Sequence, residues 1–433
     1  MAGEWNTMPL EDCMAAIIDY RGKTPEKTTF GVPLVTAKVI KGGRIERPDE
    51  FIAEADFDGW MRRGMPMPGD IVMTTEAPLG EIAQLDGAKV ALAQRVITLR
   101  GKADLLDNTF LKFLLQSRPV QEELRSRATG TTVLGIRQSE LRKVNLTLPP
   151  LPEQRAIAHV LGALDDMIEV NREINETLEE MARTLFKSWF VDFDPVRAKL
   201  EGRPPAGMDE ATAALFPDHF QDSELGQIPK GWQAKPLSKN IELLSGGTPK
   251  TSEPSYWDGE IPWYSVRDAP SDSDVWVIDT DRKVTPSGIS NSATSILPAR
   301  TTIISARGTV GKLALVGRPM AMNQSCYGVR GAAGYRELFT YFSLKEAVEE
   351  LQQNAHGSVF DTITRDTFDT LSFASPPITI ADAFEALVES LLETILANVN
   401  ESRDLAALRD TLLPKLLSGE VSVAKAGLSP KTD

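Results

Sequence analysis

Apolar side chains return in alternating steps of four and three over two long stretches of the chain. In the first stretch the series runs Ile157, Leu161, Leu164, Ile168, Asn171, Asn175, Leu178, Ala182, Leu185 and Trp189. In the second it runs Phe384, Val388, Leu391, Ile395, Asn398, Ser402, Leu405, Arg409, Leu412 and Leu416, each 227 residues after its counterpart. This is the spacing of a coiled-coil seam. It predicts two long helices, each entered after a Pro-Pro pair, Pro149-Pro150 and Pro376-Pro377, which suits a helix start. The first, from about residue 153 to 190, would be ~57 Å long at 1.5 Å per residue. Asn171 and Asn398 lie at the same depth of the two seams. A buried Asn weakens a seam but fixes its register. If the two copies are related by a two-fold axis, the helices run antiparallel, Asn171 meets Asn398, and the pair forms a rigid spacer.

Between these stretches the pattern changes. Short β-rich runs such as DIVMTT (70–75) and TTIISARG (301–308) alternate with Gly and Pro, and each series ends in a helix-like segment, TFLKFLLQSRPVQEELRSR (109–127) or ELFTYFSLKEAVEELQQ (337–353). The duplication extends through these parts. Trp5, Pro9 and Leu10 recur as Trp232, Pro236 and Leu237, and Thr24-Pro25 recurs as Thr248-Pro249. VMTTEAPLGEIAQL (72–85) matches IISARGTVGKLALV (303–316), and VALAQRVITLRG (90–101) matches MAMNQSCYGVRG (320–331), which aligns Gln94 with Gln324. An offset that drifts and returns to 227 is the mark of duplication followed by loop insertion and deletion. The expected architecture is α+β: two pseudo-repeated α/β domains separated by an antiparallel pair of long coiled-coil helices. The expected boundaries are 1–150 and 226–377 for the two domains, 151–192 and 378–420 for the helices, 193–225 for a linker and 421–433 for a flexible tail. Trp257, Trp263 and Trp276 lie where the first repeat has no clear counterpart, and core packing is their expected role. Leu185, Phe186, Trp189 and Phe190, at the end of the first seam, are expected to be exposed and to require a partner.

Composition bounds the chemistry. The 433 residues, 42% hydrophobic and 25% charged, describe an ordinary globular chain. No window reads as a membrane span and the first residues do not read as a signal peptide, so a cytoplasmic location is expected. Two cysteines, Cys13 and Cys326, and three histidines, His159, His219 and His356, leave too few ligands for a Cys/His zinc site or a disulfide framework. GTVGKL (308–313) and GGTPKT (246–251) do not satisfy the phosphate-loop spacing. Asp165-Asp166, Asp192 and Asp194 read as helix-surface and helix-end charges, not as a metal site.

The net charge of −14 argues against a nucleic-acid binder until it is divided by segment. Residues 1–150 carry 20 basic and 20 acidic side chains, and 226–377 carry 15 and 16. The acid is concentrated in 151–225, with 7 basic against 16 acidic, and in 378–433, with 5 against 9. The two near-neutral segments can therefore present basic faces, while the acidic helices suit a protein partner. Two related domains on a fixed spacer fit a ligand with two half-sites, and duplex DNA is such a ligand. Loops that recur in both copies are the candidate contacts: Lys23, Thr24, Thr129, Gly130, Thr131, Arg137 and Gln138 in the first, and Thr248, Lys250, Arg307, Lys312, Gly357 and Ser358 in the second. They supply cations, hydroxyls and small flexible turns for phosphates, and amide or guanidinium groups for base edges.

LPPLPEQRAIAHVLGALDDMIEVNREI (148–174), FKSWFVDFDPV (186–196) and ELGQIPKGW (224–232), in this repeat layout, resemble the specificity subunits of type I restriction-modification enzymes. The likeness spans nearly the whole chain, although the second helix opens as SPPITIADAF (375–384) in place of LPPLPEQRAI. The resemblance implies a non-catalytic protein that reads a bipartite, gapped site in double-stranded DNA. It implies two methyltransferase subunits as partners, with two restriction subunits joining for cleavage. It places S-adenosylmethionine, ATP and Mg²⁺ on those partners, with no cofactor or metal on this chain. A complex without the nuclease, a two-headed protein scaffold that never meets DNA, and a metal-dependent nuclease are the alternative readings.

Overall fold

The computed structural model describes residues 5–22, 24–270, 274–354 and 362–423. The chain divides into two compact units, residues 1–167 with 404–433, and residues 168–403.

In the first unit a four-stranded antiparallel sheet has the order Met14–Asp19, Val96–Gly101, Ile71–Thr75, Leu79–Gln84. A second small sheet sets Val32–Val35 between Phe51–Ile52 and Ala91–Leu92, and Asn6–Pro9 pairs with Asn145–Leu148. Ile71–Thr75 is buried throughout because both faces of its sheet are covered. Ile71 and Met73 enter one core with Phe110, Phe113, Ile157, Leu161 and Leu416, while Val72 enters another with Leu34, Val35 and Leu92. Burying an aliphatic side chain of this size stabilises by roughly 1.5–3 kcal/mol, so strands that are apolar on both faces are held from both.

The second unit repeats this topology. Its main sheet has the order Ile241–Ser245, Cys326–Gly331, Thr302–Ser305, Leu313–Val316, with Trp276–Val277 added at the edge. Trp257–Tyr264 lies between Lys283–Val284 and Ala321–Met322, and Gln233–Pro236 pairs with Ser372–Ser375. Register corrects one expectation. Leu34 and Val35 pair in parallel with Ala91 and Leu92, just as Trp263 and Tyr264 pair with Ala321 and Met322. VPLV (32–35) is thus the counterpart of IPWY (261–264), and Trp263 has an equivalent in Leu34. Trp257, Trp263 and Trp276 are all buried.

Both long helices form, as Leu151–Phe190 and Ile378–Leu417. Every residue of the two seams is buried or half-buried. In the second unit the helices run antiparallel, since Asn171 meets Ser402 while Asn175 meets Asn398. The expected Asn171–Asn398 contact does not occur. The Asn171 amide donates to Glu401 at 3.0 Å and lies 3.4 Å from the Ser402 hydroxyl, and the Asn398 amide donates to Asn175 Oδ1 at 2.9 Å. The 227-residue correspondence exchanges these two pairs, so the centre of symmetry falls between two polar layers and not on one. In the first unit the seam ends differently: half-buried Asp165 takes ion pairs from Arg409 at 2.8 Å and Lys112 at 2.6 Å.

The expectation that Phe186, Trp189 and Phe190 are exposed also fails. They are 4%, 3% and 5% exposed, in an aromatic core with Phe216, Trp232, Phe339 and Phe384. Leu185 packs against the same core. Of the residues that cover them, Phe216 comes from 193–225, the stretch expected to be a linker, and Ile228 from the start of the expected second domain.

Candidate nucleic-acid interface

Each unit gathers three loops at the same end of its main sheet, through the same backbone hydrogen bonds. In the first unit the Thr75 amide donates to the Arg95 carbonyl at 2.9 Å, and the Ile136 amide donates to the Thr75 carbonyl at 2.9 Å. In the second the Ala306 amide donates to Ser325 at 2.8 Å and the Ile363 amide to Ala306 at 2.9 Å. The turn leaving one central strand, the turn entering the next, and the segment after the glycine loop therefore converge in both copies.

The first unit's glycine loop is pinned. Thr129 and Gly135 exchange backbone hydrogen bonds at 2.9 and 3.0 Å. Gly130 has φ +120°, and a Cβ there would stand 2.0 Å from the Val133 carbonyl oxygen. A left-handed φ and that close approach both require glycine. Thr129, Gly130, Thr131 and Arg137 are exposed, and Gln138 is half-buried. Beside them Arg95 pairs with Glu76 at 2.8 Å, and the Arg21 guanidinium donates to the Ile136 carbonyl at 2.7 Å. Arg63 in turn donates to the carbonyls of Asp19 and Arg21, at 2.9 and 2.7 Å. The carbonyl bonds hold Arg21 and Arg63 at the loop cluster without neutralising them, since carbonyls carry no net charge, whereas Arg95 is paired with Glu76. Thr24 is exposed, and Lys23 lies outside the described residues.

In the second unit the Thr248 hydroxyl hydrogen-bonds the Gln324 side chain, so the GGTP loop meets the turn that enters Cys326–Gly331. Gly246 is required there, because a Cβ would lie 2.0 Å from the Asn323 carbonyl oxygen. Lys250 is exposed, and its carbonyl accepts the Trp257 indole N–H at 3.2 Å. Arg282 stacks 3.5 Å above that Trp257 ring. Arg307 is exposed in the turn that takes the Ile363 bond. Arg365 donates to the Ser245 hydroxyl at 3.0 Å. Lys312 is half-buried, and it lines a pocket of about 360 Å³ together with Glu179, Lys345 and Glu349. Gly357 and Ser358 lie outside the described residues.

Sequence reading thus located the converging loops but missed several of their cations. Arg21, Arg63 and Arg282 belong to no repeated motif, and Arg95, although it lies in the repeated VALAQRVITLRG, stands opposite Ser325 in the second copy. Arg365 also had a signal, since it is the counterpart of Gln138 at the 227-residue offset. Among the described residues Arg137, Arg307 and Lys250 form no ion pair, so their charges face solvent. Exposed cations are the groups that contact phosphates in protein–DNA interfaces in general, and amide or guanidinium groups are those that read base edges.

Burial pushes the Cys13 thiol up to about 11 and the Cys326 thiol up to about 12, which favours the protonated thiol at neutral pH. His159 and His219 are exposed. No group of three or more His, Cys, Asp or Glu suited to a metal ion occurs among the described residues, and no helix among them is long and apolar enough to cross a membrane. The motif residue Gln154, 1% exposed, ties the start of the first long helix to its surroundings. Its amide donates to the carbonyls of Pro149 and Leu105, at 2.8 and 3.0 Å, and its oxygen accepts from the Asp107 amide. In the degenerate second copy Ala381 replaces Gln154, and the Tyr335 hydroxyl donates to the Pro376 carbonyl instead, at 2.6 Å.

Comparison with known proteins agrees with this arrangement. The family model for the type I restriction modification DNA specificity domain matches residues 65–180 and 229–401. The chain is 26% identical over 373 residues to the HindI type I restriction enzyme specificity subunit of Haemophilus influenzae, covering 76% of this chain and 81% of that protein. It is 26% identical over 445 residues to the MjaIX specificity subunit of Methanocaldococcus jannaschii, covering 97% and 94%. In fold it is similar to the crystal structure of a type I restriction-modification S subunit from M. genitalium, with a TM-score of 0.53 and 18% identity over 95% of this chain and 96% of that one.

Proposed function

The chain belongs to the type I restriction-modification DNA specificity family, and from that premise we propose that each unit reads one half of a gapped site in duplex DNA through its converging loops. The carrying observation is that two copies of one fold bring the same three loops together by the same hydrogen bonds and present unpaired cations there. Lys250, Arg307 and Arg137 contact phosphates and set the position on the duplex. Arg365, Gln138 and neighbouring loop side chains select bases, and divergence between the copies gives each half-site its own sequence. The chain's role is recognition and not catalysis. Two methyltransferase subunits, and two restriction subunits for cleavage, dock on the acidic long helices. They supply S-adenosylmethionine, ATP and Mg²⁺ chemistry.

Binding to duplexes carrying the gapped site, measured over a salt series, tests this. Each phosphate contact lowers the slope of log K against log salt by about 0.9. Arg307→Ala or Arg137→Ala should reduce the slope by about one contact and weaken all sequences alike. Association that is absent, or indifferent to salt, contradicts the reading.

A further inference from the structure

Val133 and Leu134 stand at the tip of the first unit's glycine loop, 53% and 45% exposed. The loop that leaves these two adjacent aliphatic side chains in water is firmly held at its base. Thr129 and Gly135 exchange both backbone hydrogen bonds, Gly135 also bridges to Glu76, and the next amide, Ile136, donates to Thr75 at 2.9 Å. Gly135 lies so close to Glu76 that a Cβ would stand 3.2 Å from the Glu76 Cβ. Ile136 is 1% exposed, so burial ends abruptly where the tip begins. The tip's other side chains, Thr131 and Thr132, are exposed hydroxyls. Around it the Glu76 carboxylate is neutralised by Arg95, while the Arg21 guanidinium is held on the Ile136 carbonyl. An apolar point is thus presented on a rigid base among cations.

We propose that this loop enters the major groove of the first half-site, where Val133 and Leu134 read the C5-methyl group of a thymine. The proposal rests on the DNA-specificity reading and names what one loop selects. Two constraints lead to it. The paired Thr129 and Gly135 make the loop a short two-stranded ribbon, a cross-section that the major groove, about 12 Å wide, admits and the minor groove, about 6 Å wide, does not. Along the base edges of the major groove the thymine methyl is the one apolar group, and the rest are hydrogen-bond donors and acceptors. Val133 and Leu134 can satisfy none of those, and pressing them against one would strand a desolvated polar group. The same pair therefore favours thymine and disfavours the other bases. Thr131 and Thr132 supply hydroxyls for the neighbouring phosphates. At the 227-residue offset the second copy has Phe360 and Asp361, which lie outside the described residues. A change of residue type at this position suits base selection by two units with different half-sites, whereas a backbone contact common to both would ask for the same residues.

The test uses the full chain assembled with its methyltransferase subunits, and duplexes carrying the host's gapped motif in which each thymine in turn is replaced by deoxyuridine. Deoxyuridine pairs as thymidine does and lacks only the methyl. Substitution at one thymine, within one half-site, should weaken binding by the wild type about three- to fivefold, the worth of burying one methyl-sized group. The double variant Val133→Ala with Leu134→Ala should bind the unsubstituted duplex more weakly by at least that factor and lose nothing further at the same deoxyuridine. Its melting temperature should match the wild type, since both side chains are exposed. Tolerance of deoxyuridine at every position overturns the proposal, as does a loss of equal size in wild type and variant. A variant weakened with no deoxyuridine effect in the wild type overturns it too, in favour of insertion between base pairs. Salt-sensitive binding of the gapped duplex keeps the specificity reading standing in each of those cases; its absence removes both.

Discussion

Gly130 and Glu385 show how single residues carry the account. Gly130→Ala would drive a Cβ into the Val133 carbonyl at a φ that L residues avoid. The loop is exposed, so the expected outcome is loss of half-site affinity with a melting temperature within a few degrees of wild type, checked by binding and thermal unfolding in parallel. Glu385, 1% exposed, accepts the Leu338 and Phe339 amides at 3.2 and 2.8 Å, at the start of helix Glu337–Asn354. Burial raises its carboxyl above the usual glutamate range, and those two hydrogen bonds and the Arg336 charge oppose the rise only in part. Its folded pKa therefore exceeds its unfolded one. Its contribution to stability is full below the ordinary value of about 4.3 and is lost as pH rises through the folded value. Glu385→Gln keeps an acceptor and removes the titration, so its melting temperature should gain on wild type as pH rises from about 4 to 7; a constant difference would contradict this. Neither residue's role was legible from its letter. Gly130 is legible as a flexible turn residue but not as the answer to a carbonyl 2.0 Å away, and nothing in ITIADAFEAL singles out Glu385 from the other acidic residues of its helix.

At the scale of elements, the seams show both what pattern reveals and where it stops. Period and offset predict two helices of matching length, and Leu151–Phe190 and Ile378–Leu417 match that prediction closely. Register is set by the level at which the helices cross, which a seam of near-identical spacing leaves free to slip by one step. The chain settles with Asn175 against Asn398. Removing Asn175 strands the half-buried Asn398 amide, at the lower end of about 1–3 kcal/mol. Asn175→Leu alone should therefore lower stability, while Asn175→Leu with Asn398→Leu should recover it or exceed wild type. A double variant less stable than the single would contradict the pairing. Asp165→Asn leaves Arg409 and Lys112 facing an uncharged group, and the expected loss is near the lower end of the ~3–5 kcal/mol seen for broken buried ion pairs. The correspondence of VPLV with IPWY was hidden for a different reason: a strand position asks for an apolar side chain of some size, so Leu34 and Trp263 satisfy it equally.

For the whole molecule, duplication is the organising fact. Matching sheet orders, strand registers and loop hydrogen bonds give two copies of one design, and in the proposed function their divergent loops give each its own half-site. Replacing residues 226–377 with the equivalent segment of a relative should change one half of the recognised site and leave the other intact. The most direct test of the central claim is a genome-wide map of N6-methyladenine in the native host with and without this gene. The account predicts that one bipartite, gapped motif loses its methylation on deletion and regains it when the gene is restored. Survival of every methylated motif after deletion, in cells that make the protein, would contradict it.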